Sequence, residues 1–339
     1  MERDFEKAEL ERFYEDGKYG FKDKKRGYII IQEKYDDAYS FSEGLASVKL
    51  NGKYGFINKV EKEIISFKYD DAKPFSESLA CVKLNRKWGF IDKTGNEVIP
   101  LKYDDTGNFC EDLASVKSNG KWGFIDKTGA EIIPLKYDYV IPFSEDLAGV
   151  KLDGKCGYID KTGKEVIPLR FDYFMSFSED LAGVKLAGKW GFIDKAGNEV
   201  IPLQYDNVYP FCEGFTCVQL VGKWGFIDKT DKKITTLKYN YVWSFNESLA
   251  KVNIEKKYGF IDKTGNEIIP CEYDGIESFS EGLAKVELDE KYGFIDETGK
   301  VVIPLKYDDA YSFSEGKAKV ELNGETFFVD KLGKCLTLK

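Results

Sequence analysis

The sequence predicts an all-β fold of tandem 34-residue, three-stranded repeats stacked as an open superhelical β-solenoid. Three observations support it. Glycines at 55, 89, 123, 157, 191, 225, 259 and 293 recur at a constant spacing of 34. Phenylalanine fills the column 41, 75, 109, 143, 177, 211, 245, 279 and 313, and valine fills 48, 82, 116, 150, 184, 218, 252, 286 and 320. The ends depart from the pattern: Lys24 to Arg26 disturb the first spacing, Thr326-Phe327 stands where Trp-Gly is expected, and Lys317 replaces a leucine. Unvarying apolar columns mark a shared core, and degenerate terminal units are the caps an open array requires. The organisation expected is a degenerate N-terminal capping unit over 1–35, a central array over 36–316 and a degenerate C-terminal cap over 317–339.

Each unit is read as three strands. A segment such as Leu45-Ala46-Ser47-Val48-Lys49-Leu50 alternates as a strand with one buried face does. The pairs Asn51-Gly52, Asn119-Gly120, Asp153-Gly154 and Asn323-Gly324 suit the two positive φ angles of a type I′ hairpin. The second strand is the Trp88-Gly89-Phe90-Ile91 type of segment. It ends in Asp92-Lys93-Thr94-Gly95, where the Asp suits an Asx turn and the Gly a left-handed position. The third strand, Glu97 to Asp104, contains Pro100, which cannot donate to a ladder and so marks a sheet edge. Apolar groups fall on both faces of the second strand, so only neighbouring units can keep them dry. A closed toroid or propeller is the alternative, but its blades usually have four strands, and 34 residues are scant for four strands with their turns.

Composition narrows the function. There is no histidine in 339 residues, which excludes Ser-His-Asp and Cys-His nucleophilic systems and any His-ligated metal. The net charge of −9, without a long Lys/Arg run, opposes a phosphate backbone, so nucleic acid is not an expected partner. No window approaches a membrane span, and Met1 to Lys7 lack the apolar stretch of a secretory signal. No membrane association is expected, and the location expected is cytoplasmic unless a signal peptide has been removed. Of the seven cysteines, Cys81 and Cys217 share one column and Cys110 and Cys212 another, while Cys156, Cys271 and Cys335 each stand alone. This suggests small buried substitutes, not a disulfide framework or zinc site.

The run Lys-Trp-Gly-Phe-Ile-Asp-Lys-Thr-Gly, followed by Val-Ile-Pro-Leu-Lys-Tyr-Asp and Phe-Ser-Glu-Asp-Leu-Ala, resembles the bacterial WG-repeat family over about 17 to 331. Tyr54, Tyr258 and Tyr292 soften the Trp column, and Cys156 departs from it. The resemblance implies an interaction scaffold and brings no catalytic residue or cofactor.

Asp92, Asp126, Asp160, Asp194, Asp228, Asp262 and Asp296 are copies of one turn residue, whereas a glycosidase needs one pair of carboxylates in unlike surroundings. Asp92-x-x-Gly95-x-Glu97 lacks the alternating oxygen ligands of a calcium loop, and Lys93 sits inside it. No metal, cofactor or catalysis is expected. The glutamates at 43, 77, 111, 145, 179, 213, 247, 281 and 315 are read as loop caps or a solvated acidic ladder.

Variation concentrates in the stretch read as a loop after each Tyr-Asp. Val140, Phe174, Val208, Val242 and Ile276 are expected to point inward, which turns Tyr139, Ile141, Tyr173, Met175, Tyr209, Tyr241 and Trp243 outward. Flanking units carry Asp37, Asp71, Lys73, Asp105, Gly107, Glu277 and Asp309 at the same places, with Tyr39 and Tyr311 continuing the aromatic theme. An apolar patch in a polar rim suits a protein or peptide partner anchored by Tyr and Trp. The alternative is a glycan or cell-wall polymer on the repeated Trp/Tyr column, which requires Trp88, Trp122, Trp190 and Trp224 to be exposed. The oligomeric state is not readable from these patterns.

Overall fold

The computed structural model describes residues 9–245 and 248–336. The segment Met1 to Lys7 and Glu247 lie outside the described residues. Within each 34-residue period the chain forms an antiparallel meander of neighbouring strands. Asp71–Ala72, Ala80–Leu84, Lys87–Ile91 and Glu97–Tyr103 are one example, hydrogen-bonded in that order. Among the described residues there are ten such sheets, eight of four strands and two of three.

Small four-stranded meanders are the blades of a β-propeller. This overturns the open superhelical β-solenoid of three-stranded units; the propeller alternative is the architecture the sheets follow. The error lay in the stretch after Tyr-Asp, which is not a loop. Asp71 pairs with Lys83 and Ala72 with Val82, making a first strand only two residues long. Thirty-four residues accommodate four strands because this one is so short. The following Phe-Ser-Glu then turns tightly: Ser42 bridges Leu45, and Glu43 and Gly44 both have positive φ, 52° and 90°. The expected Asn51-Gly52 hairpin is present, with φ of 52° and 81°.

The fourth strand explains the Trp-Gly signature. Trp88 pairs with Tyr103 and Phe90 with Ile99, so Gly89 alone faces a three-residue bulge centred on Leu101. A Cβ on Gly89 would lie 2.5 Å from the Ile99 carbonyl oxygen and 2.8 Å from Leu101 N. Only glycine lets the two backbones approach this closely. Pro100 lies exposed in that bulge on the edge strand, as its missing N–H demands.

Each core cluster draws on two successive repeats. Phe90 and Ile99, both fully buried, pack with Phe109, Val116 and Ile125 of the next repeat. The Phe90 and Phe109 rings meet edge-on at 4.9 Å. Burying each such side chain stabilises by about 2 kcal/mol, and neither repeat can do it alone.

Polar clamps repeat with the same period. Ser76 Oγ donates to the Phe109 carbonyl at 2.7 Å. The Glu77 carboxylate accepts the Asp112 N–H at 3.0 Å and meets Lys127 Nζ at 3.0 Å. Asp70 takes Lys53 Nζ at 2.6 Å and the Asn85 N–H at 2.9 Å. The glutamate column therefore caps loop backbone, as one sequence reading had it, but the loop belongs to the following repeat.

The chain forms two compact units, Met1–Phe177 with Lys195–Gly197, and Ser178–Asp194 with Asn198–Lys339. The first contains mainly regular repeats. The second contains the main irregularity, where Thr235 occupies the place held elsewhere by Ile65, Ile99, Ile133, Ile167, Ile201, Ile269 and Ile303. Thr235 is buried, and its hydroxyl accepts the Phe226 N–H at 3.1 Å. A buried hydroxyl needs a partner, and by taking this amide it displaces a ladder bond. The fourth strand is reduced there to the bridges Trp224 to Tyr239 and Ile227 to Lys233.

Candidate binding site at Trp243

The residues expected to face outward lie on or beside the two-residue first strands. In the first unit, Tyr139 is 52% exposed, with its ring 6.3 Å from Phe174, and Tyr173 is exposed beneath Lys151 Nζ at 5.5 Å. Ile141 and Met175 are only half-buried neighbours of the core. A Cβ on Gly149 would collide with the Phe174 ring at 2.5 Å and Ile141 Cδ1 at 2.9 Å, so these side chains fill the space glycine leaves. Of the residues expected to point inward, Val140, Val208, Val242 and Ile276 are buried and Phe174 is half-buried.

In the second unit, Tyr209 is exposed with its ring 5.3 Å from Trp224, and Tyr241 is exposed on the strand Tyr241–Val242. Trp243 is 41% exposed. Its N–H donates to the Lys251 carbonyl at 2.9 Å, which sets the two side chains opposite one another on one face of the sheet. Lys251 Nζ lies 4.3 Å from the Trp243 ring centre and 5.9 Å from that of Tyr258, and it donates to the Ile276 carbonyl at 3.4 Å. The Trp243 and Tyr258 rings are 6.0 Å apart. An ammonium over indole is attracted by the ring quadrupole, more strongly where water is excluded. Burial pushes the Lys251 ammonium below its ordinary pKa, against the pull of Glu277.

Two cavities open on this pair. One of about 300 Å³ is lined by Trp243, Lys251, Leu249, Phe260, Phe279, Ser244, Ser248, Ser278 and Glu297. The other, about 330 Å³, is lined by Trp243, Lys251, Tyr258, Tyr292 and the charged groups Asp274, Glu277, Lys285 and Glu287. Much of that charge is already paired. Lys285 meets Glu277 at 2.7 Å, Glu277 also accepts the Ser312 hydroxyl, and Asp274 takes Lys257 at 2.6 Å. Burial alone would raise the Glu277 carboxyl, but Lys285 and Ser312 hold it below its usual value. Among the described residues, no carboxylate lies within 4.0 Å of Lys251 Nζ.

Sequence reasoning missed Lys251. The signal was present in its column, which runs Ser47, Cys81, Ser115, Gly149, Gly183, Cys217 and then Lys251, Lys285, Lys319. The first six members are small. The late members carry a charge there instead.

The Trp column is not a row of open platforms. Trp88 is buried at 6%, while Trp122, Trp190 and Trp224 are half-buried, so the exposure that polymer binding requires is missing at Trp88 and partial at the other three. Lys117 and Lys185 stand 5.6 and 5.7 Å from the Trp122 and Trp190 ring centres. The aspartate column forms Asx turns as expected. Asp92 accepts Thr94 Oγ1 at 2.6 Å and the N–H groups of Thr94 and Asn96 at 2.8 and 3.0 Å. These bonds, the Thr94 hydroxyl foremost, lower its carboxyl to about 2. The cysteines are free thiols, and burial raises Cys81 to about 11 and Cys217 to about 12. Cys212 and Cys335 are exposed, so they are not the small buried substitutes expected.

Blade-like sheets, periodic clamps and a surface set by first-strand side chains define a repeat scaffold of the propeller class. The WG containing repeat family matches at 19–54, 54–88, 88–122, 122–156, 157–190, 190–224, 224–258, 258–292 and 292–325, and the chain belongs to that family. No curated protein matches the sequence. Among solved structures, a eukaryotic initiation factor is similar at TM-score 0.48 and 9% identity, with 98% of this chain and 96% of that one covered. Hsv2 of Kluyveromyces lactis is similar at TM-score 0.41 and 9% identity, over 67% of this chain and 92% of that one. PorZ of Porphyromonas gingivalis is similar at TM-score 0.34 and 13% identity, over 90% and 52%. Likenesses this low transfer no function.

Proposed function

We propose that this repeat scaffold is non-catalytic and binds a protein or peptide partner, with Trp243 as the principal anchor. The observation that carries this reading is a large aromatic left 41% exposed at the mouth of two cavities, in a chain whose other Trp side chains are covered to a greater degree. Tryptophan in a partly desolvated pocket is the side chain most enriched among binding hot spots. Tyr241 and Tyr209 in the same unit, and Tyr139 and Tyr173 in the first unit, supply further exposed rings suited to a partner's apolar side chains. The repeated Trp column supports polymer binding less well, since Trp88 is buried and Trp122 and Trp190 lie beside lysines.

The test is affinity capture from the native host with the wild-type protein and with Trp243→Ala, followed by titration of each recovered partner. A partner whose Kd weakens at least tenfold in the variant, with the thermal midpoint unchanged, supports the reading. Equal binding by both proteins overturns it.

A further inference from the structure

Two departures from the repeat pattern meet at one cavity in the second unit. The first is Lys251, an ammonium at a column filled by Ser, Cys or Gly in the six preceding repeats. The second is Glu297. Its column reads Lys59, Lys93, Lys127, Lys161, Lys195, Lys229 and Lys263, then Glu297, then Lys331. The lysines of that column are structural. Lys93 meets Glu43 at 2.9 Å, Lys127 meets Glu77 at 3.0 Å, Lys229 meets Glu179 at 3.2 Å and Lys331 meets Glu281 at 3.1 Å, each tying loops of neighbouring repeats. Glu297 cannot act as the cation in such a tie, and its side chain lines the cavity of about 300 Å³ instead. Lys251 and Trp243 line the same cavity, with Phe260, Phe279 and Leu249 as apolar wall.

One cavity thus carries a cation without a carboxylate partner among the described residues, an anion where the fold elsewhere places a cation, and an aromatic mouth. A partly buried charge without an opposite charge beside it is costly, and an incoming ligand of complementary charge offsets that cost. We infer that the cavity beside Trp243 recognises a peptide segment carrying both an acidic and a basic side chain, the carboxylate held by Lys251 and the ammonium or guanidinium by Glu297. This deepens, and rests on, the peptide-binding role proposed above. The apolar wall takes the aliphatic stems of the two ligand side chains, as long charged side chains commonly offer.

The experiment selects displayed random peptides, with no free C-terminus, on the full chain and on the variants Lys251→Met, Glu297→Lys and Trp243→Ala. The expected result is a wild-type pool enriched in both Asp/Glu and Lys/Arg. Lys251→Met then loses the acidic enrichment alone, Glu297→Lys the basic enrichment alone, and Trp243→Ala both. Glu297→Lys restores the residue found in the other repeats, so a thermal midpoint equal to or above wild type shows that its effect is on binding. Selected peptides of wild-type dependence should bind Lys251→Met at least tenfold more weakly in titration. Peptides that require Trp243 but show no charge preference, or keep it in both charge variants, overturn this inference and leave the peptide-binding reading standing. A failure to enrich any peptide on the wild type also overturns this inference, whereas the binding role itself falls only by the capture experiment above.

Discussion

The repeat from Asp71 to Tyr103 and the repeat from Asn207 to Tyr239 have the same length and nearly the same columns, yet only the first completes its fourth strand. In the first, Ile99 fills the core and Gly89 receives the bulge around Leu101. In the second, Thr235 replaces the isoleucine and binds the Phe226 amide with its hydroxyl, and the proline is replaced by Thr236. One buried hydroxyl is enough to trade a ladder for two isolated bridges, because the backbone amide has a single proton to donate. The Tyr239 hydroxyl following this segment is buried and, among the described residues, has no geometric hydrogen-bond partner, whereas Tyr205 reaches Asp231 at 2.6 Å. The chain immediately after this weakened strand leads to Trp243 and the two cavities. The weakened strand and the Trp243 cavities are thus neighbours along the chain.

The contrast is tested most severely at the glycines. Gly89→Ala sets a Cβ against the Ile99 carbonyl and Leu101 N, both backbone, and should destabilise by about 3 kcal/mol in denaturant titration. In Gly225→Ala the nearest atom, at 2.6 Å, is Leu237 Cδ2, the tip of a side chain that can rotate. The expected loss is under about 1 kcal/mol, since alanine also lowers the entropy of the unfolded chain by about 0.5 kcal/mol. Equal losses would show that the two repeats present the same obstacle.

Next in size, Thr235→Ile should restore the apolar core position and release the Phe226 amide to the ladder. A gain of about 1 to 2 kcal/mol is expected, with slower hydrogen exchange at Ile234 and Leu237. A loss of stability would mean that the missing proline, not the hydroxyl, ends the strand.

Val221 holds φ of 52° in the hairpin of the irregular repeat, a conformation that a β-branched side chain disfavours, and it is 86% exposed. Val221→Asn should stabilise by about 1 kcal/mol, seen as a higher denaturation midpoint. The equivalent Asn85 in the regular repeat already has φ of 51°, and Asn85→Val should cost a similar amount.

The smallest expected effect concerns Asn240, which stands where Asp70, Asp104, Asp206 and Asp274 bind both a lysine and a hairpin amide. Asn240→Asp creates a partner for Lys223 and should add less than about 1 kcal/mol at neutral pH. The Lys87 and Lys189 bonds lower the Asp104 and Asp206 carboxyls below their ordinary 3.8. A carboxyl depressed in the folded state stabilises above its unfolded pKa, and the gain vanishes as pH falls through the folded value. The advantage of Asn240→Asp should therefore be present at pH 7 and shrink as the pH falls below the ordinary carboxylate range, measured by denaturation across a pH series. A gain that persists in acid would exclude the ion pair as its cause.

Much of this was legible in the sequence. The period of 34, the Phe and Val columns, the type I′ hairpins, the Asx turns and the edge proline are local patterns, each set by φ preferences or by alternation over a few residues. Such preferences act through near neighbours, so sequence alone determined the repeat, its core columns and the variable stretch after each Tyr-Asp. It did not determine the first strand, because two residues are too few to show alternation and become a strand only by pairing with Lys83 and Val82. Nor did it show that Trp243, Lys251 and Glu297 share a cavity, since they come from two successive repeats and lie up to 54 residues apart. Their proximity follows from how one blade packs on the next, a matter of long-range burial that no local preference encodes.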